Sequence, residues 1–162
     1  MTFCPGKTQP DAMTGPWDRD LNLDLQAIAE WGGKVLVSLI EDHEFDMLGV
    51  EALPEYSRRH RIDWVHLPIQ DGGIPTECFE AQWDTESVAL RRRLLAGDSI
   101  VLHCKGGLGR TGMVAARLLV EMGVDPAEAI QQVRAARPGA IETYDQERYV
   151  HALNVLPAVE LD

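Results

Sequence analysis

Three short apolar runs separated by stretches of helical spacing constrain this chain more than any other feature. Val35–Ile40 has the length and apolar content of a strand buried on both faces, Trp64–Ile69 reads as a second strand, and Ser99–His103 as a third, buried one. In the second run, Pro68 marks where ladder pairing has to stop. Around them, Asp20 to Trp31 places Leu21, Leu25, Ile28 and Ala29 on one helical face and stops at Gly32-Gly33. Glu51 to Arg59 predicts a short helix, Thr76 to Ala96 a long one ending at Gly97, and Arg110 to Met122 an apolar one closed by Gly123. Asp125-Pro126-Ala127-Glu128 opens a further helix with a cap, a proline at the first position and a reciprocal glutamate, and Thr143-x-x-Gln146 opens the last. Strands joined by segments of this length pair in parallel through crossover helices, so the expected fold class is α/β, a central, mostly parallel sheet flanked by helices. The helices after the third strand form a layer on that sheet. Residues 1–18, rich in Pro, Gly and Thr, read as an irregular lead-in. No internal repeat, low-complexity tract or linker interrupts the pattern, and 162 residues suit one domain spanning 1–162.

Charge and cysteine usage narrow the function. Fifteen Lys and Arg against 26 Asp and Glu leave a net charge of −11. That field repels a phosphate backbone, so nucleic acid and anionic membranes are poor partners, and an anionic substrate needs a focused local site. Cys4, Cys78 and Cys104 form no C-x-x-C pair, and the five histidines show no ligand rhythm. A disulfide framework and a zinc site are therefore not expected, and the chemistry read from the loop below needs no metal or organic cofactor. Cys4 and Cys78 read as packing residues. No stretch approaches a membrane span and the first residues lack a signal-peptide core, so the expected location is cytoplasmic.

The chemistry lies in Ile100–Gly112. The loop follows a buried strand and opens a helix, which puts it at the carboxyl end of the sheet, where open α/β folds bind ligands. Gly106, Gly107 and Gly109 let the backbone curl with its N–H groups inward, and the helix N-terminus adds a positive dipole end. A thiol in such a cradle is biased toward thiolate. Arg110, six positions after Cys104, can grip two phosphoryl oxygens with its fork. Gly107-Leu-Gly109-Arg-Thr-Gly112 also spells the dinucleotide fingerprint, but Gly123 leads into another helix start, so the second strand that fingerprint needs is missing. A nucleotide-binding phosphate loop fails because Met113 stands where lysine is required. An inert cysteine in a tight turn leaves the arginine unexplained.

Residues 103–112 resemble the H-C-x-x-G-x-x-R-[S/T]-G signature of the cysteine-dependent protein tyrosine and dual-specificity phosphatases, with every fixed position filled. Cys4-Pro5-Gly6-Lys7, Arg19-Asp20-Leu21, Leu67-Pro68-Ile69-x-Asp71 and Arg137–Thr143 are similar to the kinase-associated phosphatase group, so the resemblance touches most of the chain. It implies a dual-specificity-phosphatase-like fold and hydrolysis of phosphotyrosine, phosphoserine or phosphothreonine through a cysteinyl-phosphate intermediate. Cys104 would be the nucleophile. Lys105, Gly106, Gly107, Leu108, Gly109 and Arg110 would hold the phosphoryl group. Thr111 would ease departure of the thiolate and His103 would brace the loop.

The resemblance also implies a proton-donating aspartate ahead of the cysteine. Asp71 suits it, lying just past the second strand with Gly72, Gly73 and Pro75 as pivots and stop. Asp63 and Asp84 are the fallbacks. Gln146 is a candidate for orienting the hydrolytic water, although its place in Thr143-x-x-Gln146 already has a structural explanation. Arg58-Arg59-His60-Arg61 and Arg91-Arg92-Arg93 read as solvated helix faces before docking sites. The expected partner is a phosphorylated protein, with a kinase as a further candidate. Alternatives are a phosphoinositide or other small-phosphoester phosphatase, a sulfur- or arsenate-handling enzyme of similar loop logic, and a phosphopeptide-binding module without turnover. Lys105 is the only lysine in the loop, and Leu108 stands where lipid-type loops carry a second.

Overall fold

The computed structural model describes residues 1–156, and its sheet is built from the three apolar runs. From the N-terminus the elements are β1 (Thr8–Gln9), β2 (Trp17–Asp18), α1 (Leu21–Trp31), β3 (Gly33–Ser38), α2 (Asp42–Met47), α3 (Leu53–Arg59), β4 (Asp63–His66), α4 (Glu77–Leu95), β5 (Ser99–His103), α5 (Gly109–Glu121), α6 (Pro126–Ala136) and α7 (Tyr144–His151). The strand order is β4-β3-β5, with both pairings parallel. Ser38 is level with His66 on one side and His103 on the other, so all three strands deliver their carboxyl ends to one edge. Val35, Leu36 and Val37 of the central strand are buried, as a strand covered on both faces requires.

Several local expectations change. Gly32, at φ 97°, is the left-handed cap of α1, and Gly33 already belongs to β3. Strand β4 ends at His66, short of the expected Ile69. Beyond it Leu67 and Ile69 still donate to the carbonyls of Ser38 and Leu39, while Pro68 has no N–H to give. Helix α2 was not expected at all. The lead-in is more ordered than its composition suggests: Thr8 and Gln9 pair antiparallel with Asp18 and Trp17, and Thr2 bridges His103 at the outer edge of β5.

One hydrophobic cluster unites the two faces of the sheet, from Leu25 and Leu53 to Trp83, Leu90, Met113, Val120, Ile130 and Val150. Each of the large side chains contributes roughly 1.5–3 kcal/mol on burial. Helix α5 carries the largest share, buried along most of its length from Gly109 to Glu121. Its first turn is thereby fixed relative to the sheet, and with it the glycine loop. Among the described residues no helix is long and apolar enough to cross a membrane.

Candidate active site

The loop between β5 and α5 closes on the cysteine that begins it. Gly107 adopts φ +75°, and a Cβ there would lie 2.3 Å from the carbonyl of Thr2, so only glycine fits both the turn and the neighbouring N-terminal segment. That turn aims the Gly107 N–H at Cys104 Sγ, 3.2 Å away. Cys104 is buried at the floor of the loop. Outside the loop, the Lys105 carbonyl accepts from Cys4 N–H at 3.3 Å and from Lys7 Nζ at 3.2 Å, and the Gly106 carbonyl accepts from Arg137 Nη2 at 3.4 Å. The Leu108 carbonyl takes the N–H groups of Gly112 and Ile141. With these carbonyls engaged outside the loop, the N–H groups of the same trans peptides, those of Gly106, Gly107 and Gly109, face the other way, and that of Gly107 reaches the sulfur. Thr111 is fully buried and its hydroxyl has no partner among the described residues.

Arg110 is 1% exposed, and its charge is met by carboxylates on two sides. Glu44 of α2 receives Nη1 at 2.6 Å and Nη2 at 3.0 Å, and Asp71 Oδ1 lies 2.9 Å from Nη2. Nη1 also reaches the carbonyl of Ile69 at 3.0 Å. Burial works to raise the Glu44 pKa, but the Arg110 bonds and the Glu41 N–H, 2.8 Å from Oε2, hold it below the ordinary carboxylate value. Arg110 in turn is pushed up: burial opposes its charge, but Glu44, Cys104 and Asp71 outweigh that cost. The fork is therefore held in one orientation before any substrate arrives.

His103 is wholly buried at the end of β5. Its Nε2 is 2.6 Å from Ser38 Oγ, Ser38 Oγ accepts from Trp64 Nε1 at 2.8 Å, and Nδ1 is 3.2 Å from the Cys104 carbonyl. Burial, with Arg110 and His66 nearby, lowers its pKa to about 4, so the ring is neutral. The partners then fix the tautomer: Nδ1–H donates to the Cys104 carbonyl, and Nε2 accepts from the Ser38 hydroxyl. His103 thus pins the peptide after Cys104 rather than supplying charge to the sulfur.

Asp71 stands at the mouth, its side chain 61% exposed, on the turn Gln70–Gly73 that follows β4. Gln146 is fully buried in the capping box of α7; its Oε1 accepts from Glu142 and Thr143 N–H, and its Nε2 donates to the Gly73 carbonyl at 3.2 Å. A Cβ on Gly109 would come within 3.0 Å of the Gln146 amide and 2.5 Å of the Glu142 carboxylate, so glycine at 109 lets this cap lie against the phosphate loop.

Cys104–Thr111, His103, Asp71 and Gln146 are thus neighbours in space. The fallback acids are not. Asp63 begins β4, at the opposite end of the sheet, and pairs with Arg93; Asp84 is exposed on α4. Cys4 is a buried packing residue, but Cys78 is exposed at the start of α4, so the packing role expected for it does not hold. In the basic runs, Arg59 pairs with Glu55, His60 with Asn22, and Arg93 with Asp63 and Asp98, while Arg91 is buried beside Glu121. Glu44, Ser38 and Trp64 were not singled out in the sequence. For Glu44 the one available signal was the acid three residues after Glu41, a common helix-start spacing.

Comparison with known proteins adds to this geometry. The family model described as "Polymorphic toxin system, DSP-PTPase phosphatase" matches residues 12–124. Cyclin-dependent kinase inhibitor 3 of Sus scrofa is 31% identical over 138 residues, covering 82% of this chain and 63% of that protein. Protein tyrosine phosphatase type IVA 2 of Mus musculus is 28% identical over 128 residues, covering 79% and 71%. The chain therefore spans less than two thirds of the length of the first of these relatives. Among solved structures, kinase-associated phosphatase with its catalytic-site cysteine replaced by serine superposes with a TM-score of 0.79 at 28% identity, over 92% of this chain and 81% of that one. Tk-PTP in the active form gives 0.67 at 26% identity, over 91% and 97%.

Proposed function

The chain belongs to the DSP-PTPase phosphatases, and from that premise we propose that it hydrolyses phosphotyrosine, phosphoserine or phosphothreonine on proteins through a cysteinyl-phosphate intermediate. The observation that carries the reading is the convergence of Cys104 Sγ, the Gly107 N–H aimed at it, the Glu44-braced fork of Arg110 and Asp71 at one edge of the sheet. A phosphoryl dianion entering this cradle takes the place of the Asp71 carboxylate on Arg110 Nη2, which releases Asp71 toward the leaving oxygen. Freed from Arg110, the Asp71 carboxylate takes a proton from solvent; the Cys104 thiolate attacks phosphorus, an S–P bond forms, the P–O ester bond breaks, and Asp71 gives that proton to the departing oxygen. Water then attacks phosphorus, the S–P bond breaks, and the Asp71 carboxylate takes the water proton. Thr111, with its hydroxyl otherwise unpartnered, supports the departing thiolate.

Residues 1–156 share one core, which supports reading the chain as a single phosphatase domain; residues 157–162 of the expected 1–162 span lie outside the described residues. The phosphoprotein is the proposed partner. The names of the relatives, a kinase inhibitor and a kinase-associated phosphatase, add a kinase as a candidate. A single loop lysine, Lys105, favours a protein monoester over a polyphosphorylated inositol ring, where each added phosphate needs its own charge.

Phosphate release from phosphotyrosine and phosphothreonine peptides and soluble phosphoinositides tests the reading. Cys104→Ser should keep oxyanion binding and lose turnover by several orders of magnitude. Asp71→Asn should lose roughly 10²–10⁴ on poor leaving groups and much less on activated aryl phosphates. A Cys104→Ser variant near wild-type activity would overturn the proposal, and an inositol preference removed by Lys105→Ala would reassign the substrate.

A further inference from the structure

The turn that carries Asp71 is gripped from two sides. Arg110 holds the Ile69 carbonyl and the Asp71 carboxylate. On the other side stands the capping box of α7. Thr143 Oγ accepts from Gln146 N–H at 3.2 Å, and Gln146 Oε1 accepts from the N–H groups of Glu142 and Thr143 at 3.0 and 3.4 Å; these bonds complete the box. Two further bonds leave it. Gln146 Nε2 donates to the Gly73 carbonyl at 3.2 Å, and the Thr143 hydroxyl points at the Gly72 carbonyl at 3.5 Å. Helix capping needs neither. Both cross 71 or more positions in sequence to reach the residues directly after Asp71. The same Gln146 amide lies against Gly109, so one buried side chain touches both the first turn of α5 and the acid turn. Its oxygen already has two donors and its nitrogen has given one of two hydrogens to Gly73, so most of the hydrogen-bonding capacity of Gln146 is spent on the cap and the acid turn.

We propose that Gln146, helped by Thr143, is the positioning residue for Asp71: it clasps the acid turn and sets the distance between the proton donor and the phosphate loop. This rests on reading Asp71 as the proton donor. The lost clasp lets the turn drift, and proton transfer, which needs hydrogen-bond distance to the leaving oxygen, suffers while thiolate attack does not.

Gln146→Glu removes the N–H offered to Gly73 and keeps the acceptors of the capping box; the charge it adds beside the loop acts on every substrate and in the Asp71→Asn background as well, whereas loss of the clasp acts only through Asp71. The expected result is a loss of about tenfold in kcat/KM for a phosphothreonine peptide, the scale of one aligned hydrogen bond, and less than about twofold for an activated aryl phosphate. Single-turnover kinetics should put the loss in phosphoryl transfer to Cys104. Hydrogen exchange should quicken at residues 72–74 while the α7 amides keep their protection, which separates a loosened turn from a misfolded variant. In an Asp71→Asn background the substitution should add nothing. An equal loss on both substrates, or an aryl-phosphate burst followed by slow steady-state release, overturns the proposal and assigns Gln146 to general stability or to the water step. If Asp71→Asn alone lacks leaving-group dependence, the proton-donor reading has failed, and that control distinguishes it from failure of the clasp.

Discussion

His103 and Cys4 show how one buried environment assigns opposite duties to neighbouring groups. Burial pushes the Cys4 thiol up to about 12, so it stays protonated at neutral pH next to the loop of Cys104. The same burial keeps His103 neutral with a pKa of about 4 against the ordinary 6.5. A neutral ring is what the Trp64–Ser38–His103 chain requires, since Nε2 must accept the Ser38 hydroxyl. Between pH 4 and 6.5 the unfolded chain holds a proton on this residue and the folded chain does not. Stability from this group is therefore complete above about pH 6.5 and is lost as pH falls toward 4, by about 3 kcal/mol over the window. Urea unfolding at stepped pH should show this slope in the wild type and a shallower one in His103→Asn. Parallel slopes in the two proteins would mean that His103 is not the group being titrated.

At the scale of elements, the short helix α2 decides how the phosphate arginine is held. Glu44 closes the first turn of that helix through the Glu41 N–H and clamps both terminal nitrogens of Arg110. Removing one charge of a buried pair leaves the other uncompensated. Glu44→Gln should therefore lower stability by about 3 kcal/mol, and phosphate should restore more of the melting temperature in the variant than in the wild type, because the bound dianion supplies the missing countercharge. Equal phosphate shifts in both proteins would show that Glu44 is not what balances Arg110. This helix was invisible in the sequence for a physical reason: six residues make under two turns, too few for an apolar face to repeat. Helix α5 and strand β5 were legible because burial covers most of each element. The Cys104–Arg110 loop was legible because the glycines, the thiol and the guanidinium lie within nine positions of one another. Asp71 was singled out by the resemblance together with its position after a strand, and it stands 2.9 Å from Arg110 Nη2. The link from Gln146 to Gly73 was not legible, since nothing local to Thr143-x-x-Gln146 indicates a bond made 73 positions away.

On the scale of the whole molecule, the site and the surface pull an anionic substrate in opposite directions. Inside, Arg110 is already balanced by Glu44 and partly by Asp71, so on the proposed function the loop would attract a phosphoryl group mainly through its amides and the dipole of α5. That attraction is short-ranged. Outside, the net charge of −11 acts over the Debye length, about 30 Å at 0.01 M salt and about 8 Å at 0.15 M. An approaching phosphopeptide meets the surface field first, and its flanking charges determine the sign of that encounter. For a peptide with acidic flanks, kcat/KM should rise about three- to tenfold as salt increases between those limits, because the added ions screen repulsion. For the same phosphoresidue with basic flanks it should fall over the same range, because the ions screen attraction. Turnover at saturation should change little in either case, since the proposed chemistry lies at the buried Cys104 and the field acts on the encounter. Stopped-flow or initial-rate measurements on the two peptides at matched pH check this. A fall with salt for both would show that local basic groups near the mouth, such as Lys105 and Arg137, outweigh the global charge in steering substrates.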